Sequence, residues 1–219
     1  MLTALHDCTR CPALVASRRR IVAAYGESPC LVLFVGEAPG YHGADTTGIP
    51  FSRDRSGRRL QELLIRCGLS EGYNPATHKP SLRGCAITNV VRCHPAPPDQ
   101  PTKNRPPSRQ EIANCAEHLD ADFSRYTPEL LVPVGGLALA ACLKRFLPEE
   151  SRPITQLHAV LLELAGPGPR WMLPMRHPSR GSNAEFEVWV GEYGSWKGSL
   201  PQPPSHGSSR KTGETGPAR

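Results

Sequence analysis

The sequence predicts an α/β fold, three layers deep (α/β/α), around a central, mainly parallel sheet of four to five strands. Three short apolar runs, 31–35, 86–91 and 130–134, carry the pattern of strands buried on both faces. Stretches with helical periodicity separate them. Strands joined through helices need crossover connections, which make neighbouring strands parallel and cover both faces of the sheet.

In chain order, the run 31–35 ends at Gly36. A helix is expected over 57–67, because Leu60, Leu63, Leu64 and Cys67 fall on one face. After the run 86–91 come 13 residues, 95–107, with six prolines, read as a long loop. Ser108 and Glu111 then form a capping box, and Ile112, Cys115, Ala116 and Leu119 make the apolar stripe of the helix that follows. The run 130–134 leads into a third helix, Gly136–Phe146. Two more strands are expected at 160–164 and 171–175, on either side of Gly166-Pro167-Gly168. A last helix is faint in 184–196, where Gly191 and Gly194 interrupt it. No internal repeat is visible.

The 219 residues suit one core and one domain, expected over 1–198. From 199 to 219 the chain is Pro, Gly, Ser and charge, too poor in apolar side chains to offset its ordering entropy, and reads as a disordered basic tail. The tail holds +2 of the net charge of +6. This excess suits a polyanionic partner without identifying one. There is no run of about 18 apolar residues, which argues against a membrane span. The first 11 residues lack the apolar stretch of an export signal, so a cytoplasmic protein is expected, and as a single-core domain a monomer.

Eight cysteines in such a protein point to metal binding or burial rather than disulfides. Cys8 and Cys11 form a C-x2-C pair. Cys93 directly follows a strand and Cys115 lies on the helix after the proline loop. These four make a candidate thiolate set for zinc or an iron–sulphur cluster, with simple burial of Cys93 and Cys115 as the alternative. Cys30, Cys67, Cys85 and Cys142 sit inside apolar patterns and read as core.

In sheets of this kind ligands bind at the carboxyl ends of the strands. Three polar segments fall there: Gly36-Glu37-Ala38-Pro39-Gly40, Asn89, and Arg176-His177-Pro178-Ser179. Together with Cys8-x2-Cys11, Gly48-Ile49-Pro50-Phe51, Thr88-Asn89-Val90-Val91-Arg92-Cys93, Asn104-Arg105-Pro106 and Cys115, they resemble the iron–sulphur family 4 uracil-DNA glycosylases, in that family's order. The resemblance implies a [4Fe-4S] cluster on Cys8, Cys11, Cys93 and Cys115. It also implies an enzyme that flips a base out of DNA and cuts its bond to the sugar.

That chemistry makes an anionic leaving base and a cation-like sugar, and the candidate roles follow. Phe51 stacks on the base and Asn89 reads its edge. His177 donates to the negative oxygen, and Glu37 orients water and balances the cation. Ala38 adjoins the base. Asp45 is a second candidate carboxylate, and Tyr41 a wall beside a pyrimidine's C5. Arg53, Arg55, Arg176, Ser179 and Arg180 are candidate contacts to the DNA backbone. Each residue also has a plain structural reading: a braced turn for Glu37, a satisfied strand end for Asn89, core for Phe51, a rigid turn at His177.

The sequence departs from the family at Tyr41-His42-Gly43-Ala44-Asp45, in the arginine-rich 52–57, and at Arg180-Gly181-Ser182, where longer apolar residues are usual. DNA containing a damaged base, most simply uracil, is the expected partner, in base excision repair. Hypoxanthine or xanthine as the main substrate, or a non-catalytic iron–sulphur DNA-binding relative, are the alternatives.

Overall fold

The computed structural model describes residues 5–181. The expected last helix and the tail lie outside them. A short 3-10 turn, Leu5–Asp7, leads into α1, Pro12–Ser17, and the two-residue strand β1, Tyr25–Gly26. Then come β2, Val32–Gly36; α2, Ala44–Thr47; α3, Arg55–Arg66; a hairpin of β3, Ser70–Tyr73, and β4, Pro80–Leu82; and β5, Cys85–Asn89. The chain continues with α4, Arg109–Tyr126; β6, Leu130–Pro133; α5, Gly136–Phe146; α6, Ile154–Leu157; β7, Leu162–Glu163; and β8, Trp171–Met172.

The main sheet has six strands in the order β1-β5-β2-β6-β8-β7. Its four central strands, β5-β2-β6-β8, are parallel, as expected. The two edge strands, β1 and β7, pair antiparallel and are two residues long; β1, which no apolar run announces, takes the sheet to six strands, one beyond the four to five expected. The 160–164 and 171–175 runs shorten to β7 and β8, and Met175 adds only a bridge to Val134.

Alternation along β2 sorts the core into two layers. Leu33 and Val35 pack with Cys115 and Leu119 of α4 and with Leu139, Cys142 and Leu143 of α5. Val32 and Phe34 face the other way, onto Leu60, Leu63, Leu64 and Cys67. The expected stripe of α3 is therefore the buried face. Asp54 caps this helix, accepting from the Gly57 N–H at 2.7 Å.

The capping box of α4 is present: Ser108 Oγ accepts from Glu111 N at 3.2 Å, and Glu111 accepts from Ser108 N at 2.7 Å. Its buried face is rotated from the expected stripe. Ala116 is exposed and His118 is buried instead. Arg92, only 1% exposed, causes the turn: it donates to His118 O at 3.2 Å and pairs with Asp122. A guanidinium this deep requires such partners. Among the described residues no helix is long and apolar enough to cross a membrane.

Candidate active site

The polar segments at the carboxyl edge meet around a cleft of about 550 Å³. Glu37, Ala38, Phe51, Asn89, Arg176, His177, Ser179 and Arg180 all line it. The cleft thus draws on the ends of β2, β5 and β8, while Gly135 and Gly136, after β6, complete its floor.

Gly36 shows how tightly the sequence is fitted here. A Cβ on it would lie 2.4 Å from both Asn89 Oδ1 and Phe51 Cε2, so only glycine lets the amide and the ring close over the end of β2. Gly135, at φ +95°, allows the His177 side chain a similar approach, at 3.3 Å. Phe51 itself has φ 50°, a costly conformation for a non-glycine residue, and its ring stands 5.8 Å from the His177 ring.

Asn89 is 2% exposed and its Nδ2 has no hydrogen-bond partner among the described residues. A buried amide donor left open costs free energy unless a ligand fills it. His177 Nδ1 accepts from the Ser179 backbone N–H at 3.3 Å and lies 2.8 Å from Ser179 Oγ. That contact fixes Nδ1 as an acceptor, which puts the proton of the neutral ring on Nε2. Burial lowers the pKa of His177; Asp54 opposes this and Arg180 adds to it. Burial raises Glu37 above the usual carboxylate range, with Arg180 opposing.

Four candidates fall elsewhere. Asp45 is fully buried away from the cleft lining, accepting from Arg19 N at 3.0 Å and facing Arg19 Nε at 4.0 Å. Tyr41 also lies outside the lining: the Arg19 guanidinium sits 4.2 Å over its ring and hydrogen bonds its hydroxyl. Arg55 is exposed at the start of α3 and lines neither the cleft nor the hollow beside it, where Arg53 lies with Phe51. Asp54, Asn104, Arg105 and Thr155 line the cleft without having been assigned a role from sequence. Asp54 is hidden in the sequence behind its cap, and Asn104 behind the proline loop, where its Oδ1 accepts from Tyr41 N at 3.1 Å.

Cys8, Cys11, Cys93 and Cys115 line one small cavity of about 20 Å³ between α1, the end of β5 and α4. Arg18 Nη1 donates to Cys93 Sγ at 3.2 Å and Asn114 Nδ2 to Cys11 Sγ at 3.4 Å. Burial pushes Cys115 up to about 11, so its thiol holds its proton unless a metal displaces it. Among the described residues no three His, Cys, Asp or Glu side chains gather closely enough for a single ion. The four thiols nevertheless line one void, and two of them, Cys93 and Cys11, receive N–H donors. Cys30, Cys67, Cys85 and Cys142 are all buried outside it.

An α/β sheet with a cleft across the carboxyl ends of its strands, lined by a carboxylate, an amide, an aromatic ring and an imidazole, defines the class: an α/β protein with a polar site at its strand ends. The family model described as the uracil DNA glycosylase superfamily matches residues 24–189, and the chain belongs to that superfamily. It is 34% identical over 196 residues to a type-5 uracil-DNA glycosylase of Thermus thermophilus, covering 80% of this chain and 84% of that one. A type-5 enzyme of Pyrobaculum aerophilum is 32% identical over 157 residues, 64% of this chain and 66% of its own. A type-4 uracil-DNA glycosylase of Thermotoga maritima is 31% identical over 175 residues, covering 80% and 78%. The likeness therefore runs to two named types, not to family 4 alone.

Proposed function

We propose that the chain is a uracil-DNA glycosylase, a hydrolase of the N-glycosidic bond acting in base excision repair. The observation that carries this is the pairing of two unspent donors in one cleft, the buried Asn89 amide and the His177 Nε2–H. The relatives' names agree with it. A flipped uracil stacks on Phe51 while the Asn89 amide meets its Watson–Crick edge. As the bond from C1′ to the base breaks, its electron pair leaves with the base, and His177 Nε2–H stabilises the negative oxygen that results. Glu37, ionised, balances the charge on the sugar and orients the water that adds to C1′, whose proton passes to the carboxylate. Arg176, Ser179 and Arg180, at the cleft's rim, hold the backbone of the DNA.

Cys8, Cys11, Cys93 and Cys115 are the proposed ligands of a [4Fe-4S] cluster. Bound there, it would fasten α1 to α4 and take no part in bond cleavage. A single domain over 1–198 and a dispensable tail over 199–219 complete the reading.

A cleft of about 550 Å³ is not confined to a pyrimidine, which keeps hypoxanthine and xanthine as a second substrate reading. Both are tested by incubating the protein with oligonucleotides carrying uracil, hypoxanthine or xanthine and cleaving abasic sites with alkali. Cleavage at uracil is expected. Cleavage only at a purine would move the function to the second reading, and no cleavage at any base would remove the catalytic one.

A further inference from the structure

Beside the cleft lies a second hollow, of about 210 Å³, where the β3–β4 hairpin meets the start of α3. Phe51 lines both cavities, so the two adjoin across that residue. Its lining combines Tyr73, an exposed aromatic at 47%, with three basic side chains, Arg53, Arg58 and His78, and includes no carboxylate.

The walls are fixed by polar ties within the protein. Gln61 Nε2 donates to Gly72 O at 3.1 Å, Tyr25 Oη to Pro80 O at 3.1 Å, and Arg58 Nη1 to Arg53 O at 2.9 Å. Asn74 Oδ1 accepts from the N–H groups of Ala76 and Thr77 at 2.9 and 3.0 Å, which holds the hairpin's turn. The groups facing the hollow are left over: the Arg53 guanidinium, the Tyr73 hydroxyl and the His78 ring have no protein partner among the described residues. Three of the five non-glycine residues with positive φ among the described residues, Phe51, Arg53 and His78, line it. Backbone held in this region gathers where side chains are aimed at a task.

A hairpin with one exposed tyrosine beside two arginines is ordinary solvated surface. What distinguishes this one is concavity, a lining without carboxylates, and adjacency to the cleft that takes the flipped base. We propose that the hollow is a nucleotide subsite for the residue flanking the flipped one on the same strand. Tyr73 stacks on its base, and Arg53 and Arg58 take its phosphodiester. Stacking on an aromatic ring is indifferent to base identity, so the subsite grips any sequence context and favours a strand whose bases are unpaired. The inference rests on the glycosylase reading for its geometry, but its binding test does not.

With the full chain, the affinity for an undamaged single-stranded oligonucleotide is read by fluorescence anisotropy across a salt series. Tyr73→Ala is expected to weaken binding roughly tenfold, while Tyr73→Phe keeps the wild-type value. Arg53→Gln is expected to reduce the slope of log affinity against log salt by about 0.7. In excision assays with uracil oligonucleotides trimmed on one side or the other, Tyr73→Ala should lose its penalty in KM on one trimmed substrate alone. Equal affinity of Tyr73→Ala and wild type, or equal penalties on both trimmed substrates, overturns the subsite. If the wild type releases uracil and Tyr73→Ala is silent, the subsite fails and the glycosylase stands. If no base is released and Tyr73→Ala still weakens binding, the reverse holds.

Discussion

Glu37 and Asp45 are separated by a single turn of chain, yet one lines the cleft and the other is fully buried against Arg19. Glu37→Gln is therefore expected to slow base release with little change in melting temperature. Asp45→Asn should lower the melting temperature, because it uncouples the Arg19 contact. Single-turnover rates and thermal melts check the pair, and an Asp45→Asn enzyme that is folded but inactive beside an active Glu37→Gln would transfer the carboxylate's role. His177→Ala should reduce the rate on the order of 10²–10³-fold with DNA binding nearly intact, since it removes a donor used only as charge develops. Arg180 opposes the upward shift of Glu37 and deepens the downward shift of His177. Arg180→Gln should thus raise both, moving the acid limb of the kcat/KM profile to higher pH; an unmoved or lowered limb contradicts this. The residues behind these predictions were legible because a sheet exposes its strand ends: Glu37 and His177 follow apolar runs, and Asn89 is the polar residue that interrupts one. Asp54 was not, because an N-cap aspartate looks the same in sequence whether or not it also faces a cleft.

At the level of elements, what could be read depended on length. The 12-residue α3 and the 11-residue α5 repeat their apolar spacing often enough to declare a face, and the capping box marks the start of α4. The two-residue β1 has no period to read, and the hairpin 70–82 is mostly polar, so neither was expected; β7 was, as the longer run 160–164. The rotation of α4 came from one buried arginine on a distant strand end, a tertiary cause that no local pattern carries. Because the α3 stripe packs against Val32 and Phe34, Leu64→Ala, at a position 0% exposed, is expected to cost about 2–5 kcal/mol. The melting temperature should fall by roughly 5–15 °C. A change within 1 °C or so would mean that α3 is not bound to the sheet as described.

For the molecule as a whole, the cleft and the thiol cavity are built on one α/β sheet, and the metal question can be settled by composition. Protein purified without oxygen should carry iron and acid-labile sulphide. Cys93→Ser should lose both, whereas Cys67→Ala, in the core beneath α3, should keep both. Zinc without sulphide would exclude the cluster. The thiol cavity has one more consequence, which concerns the unfolded chain. Its walls come from opposite ends of a long stretch: Arg10 and Asn114, which flank it and bond to each other, are 104 positions apart. Helix α1 buries only Leu14, too little to dock it by packing alone. A group bridging the four sulphurs would act as a cross-link over that span, and closing a loop of about 100 residues removes on the order of 4–5 kcal/mol of conformational freedom from the denatured ensemble. The N-terminal segment is then held by topology, and oxidative loss of the bridge would destabilise the whole fold chiefly by freeing the unfolded chain.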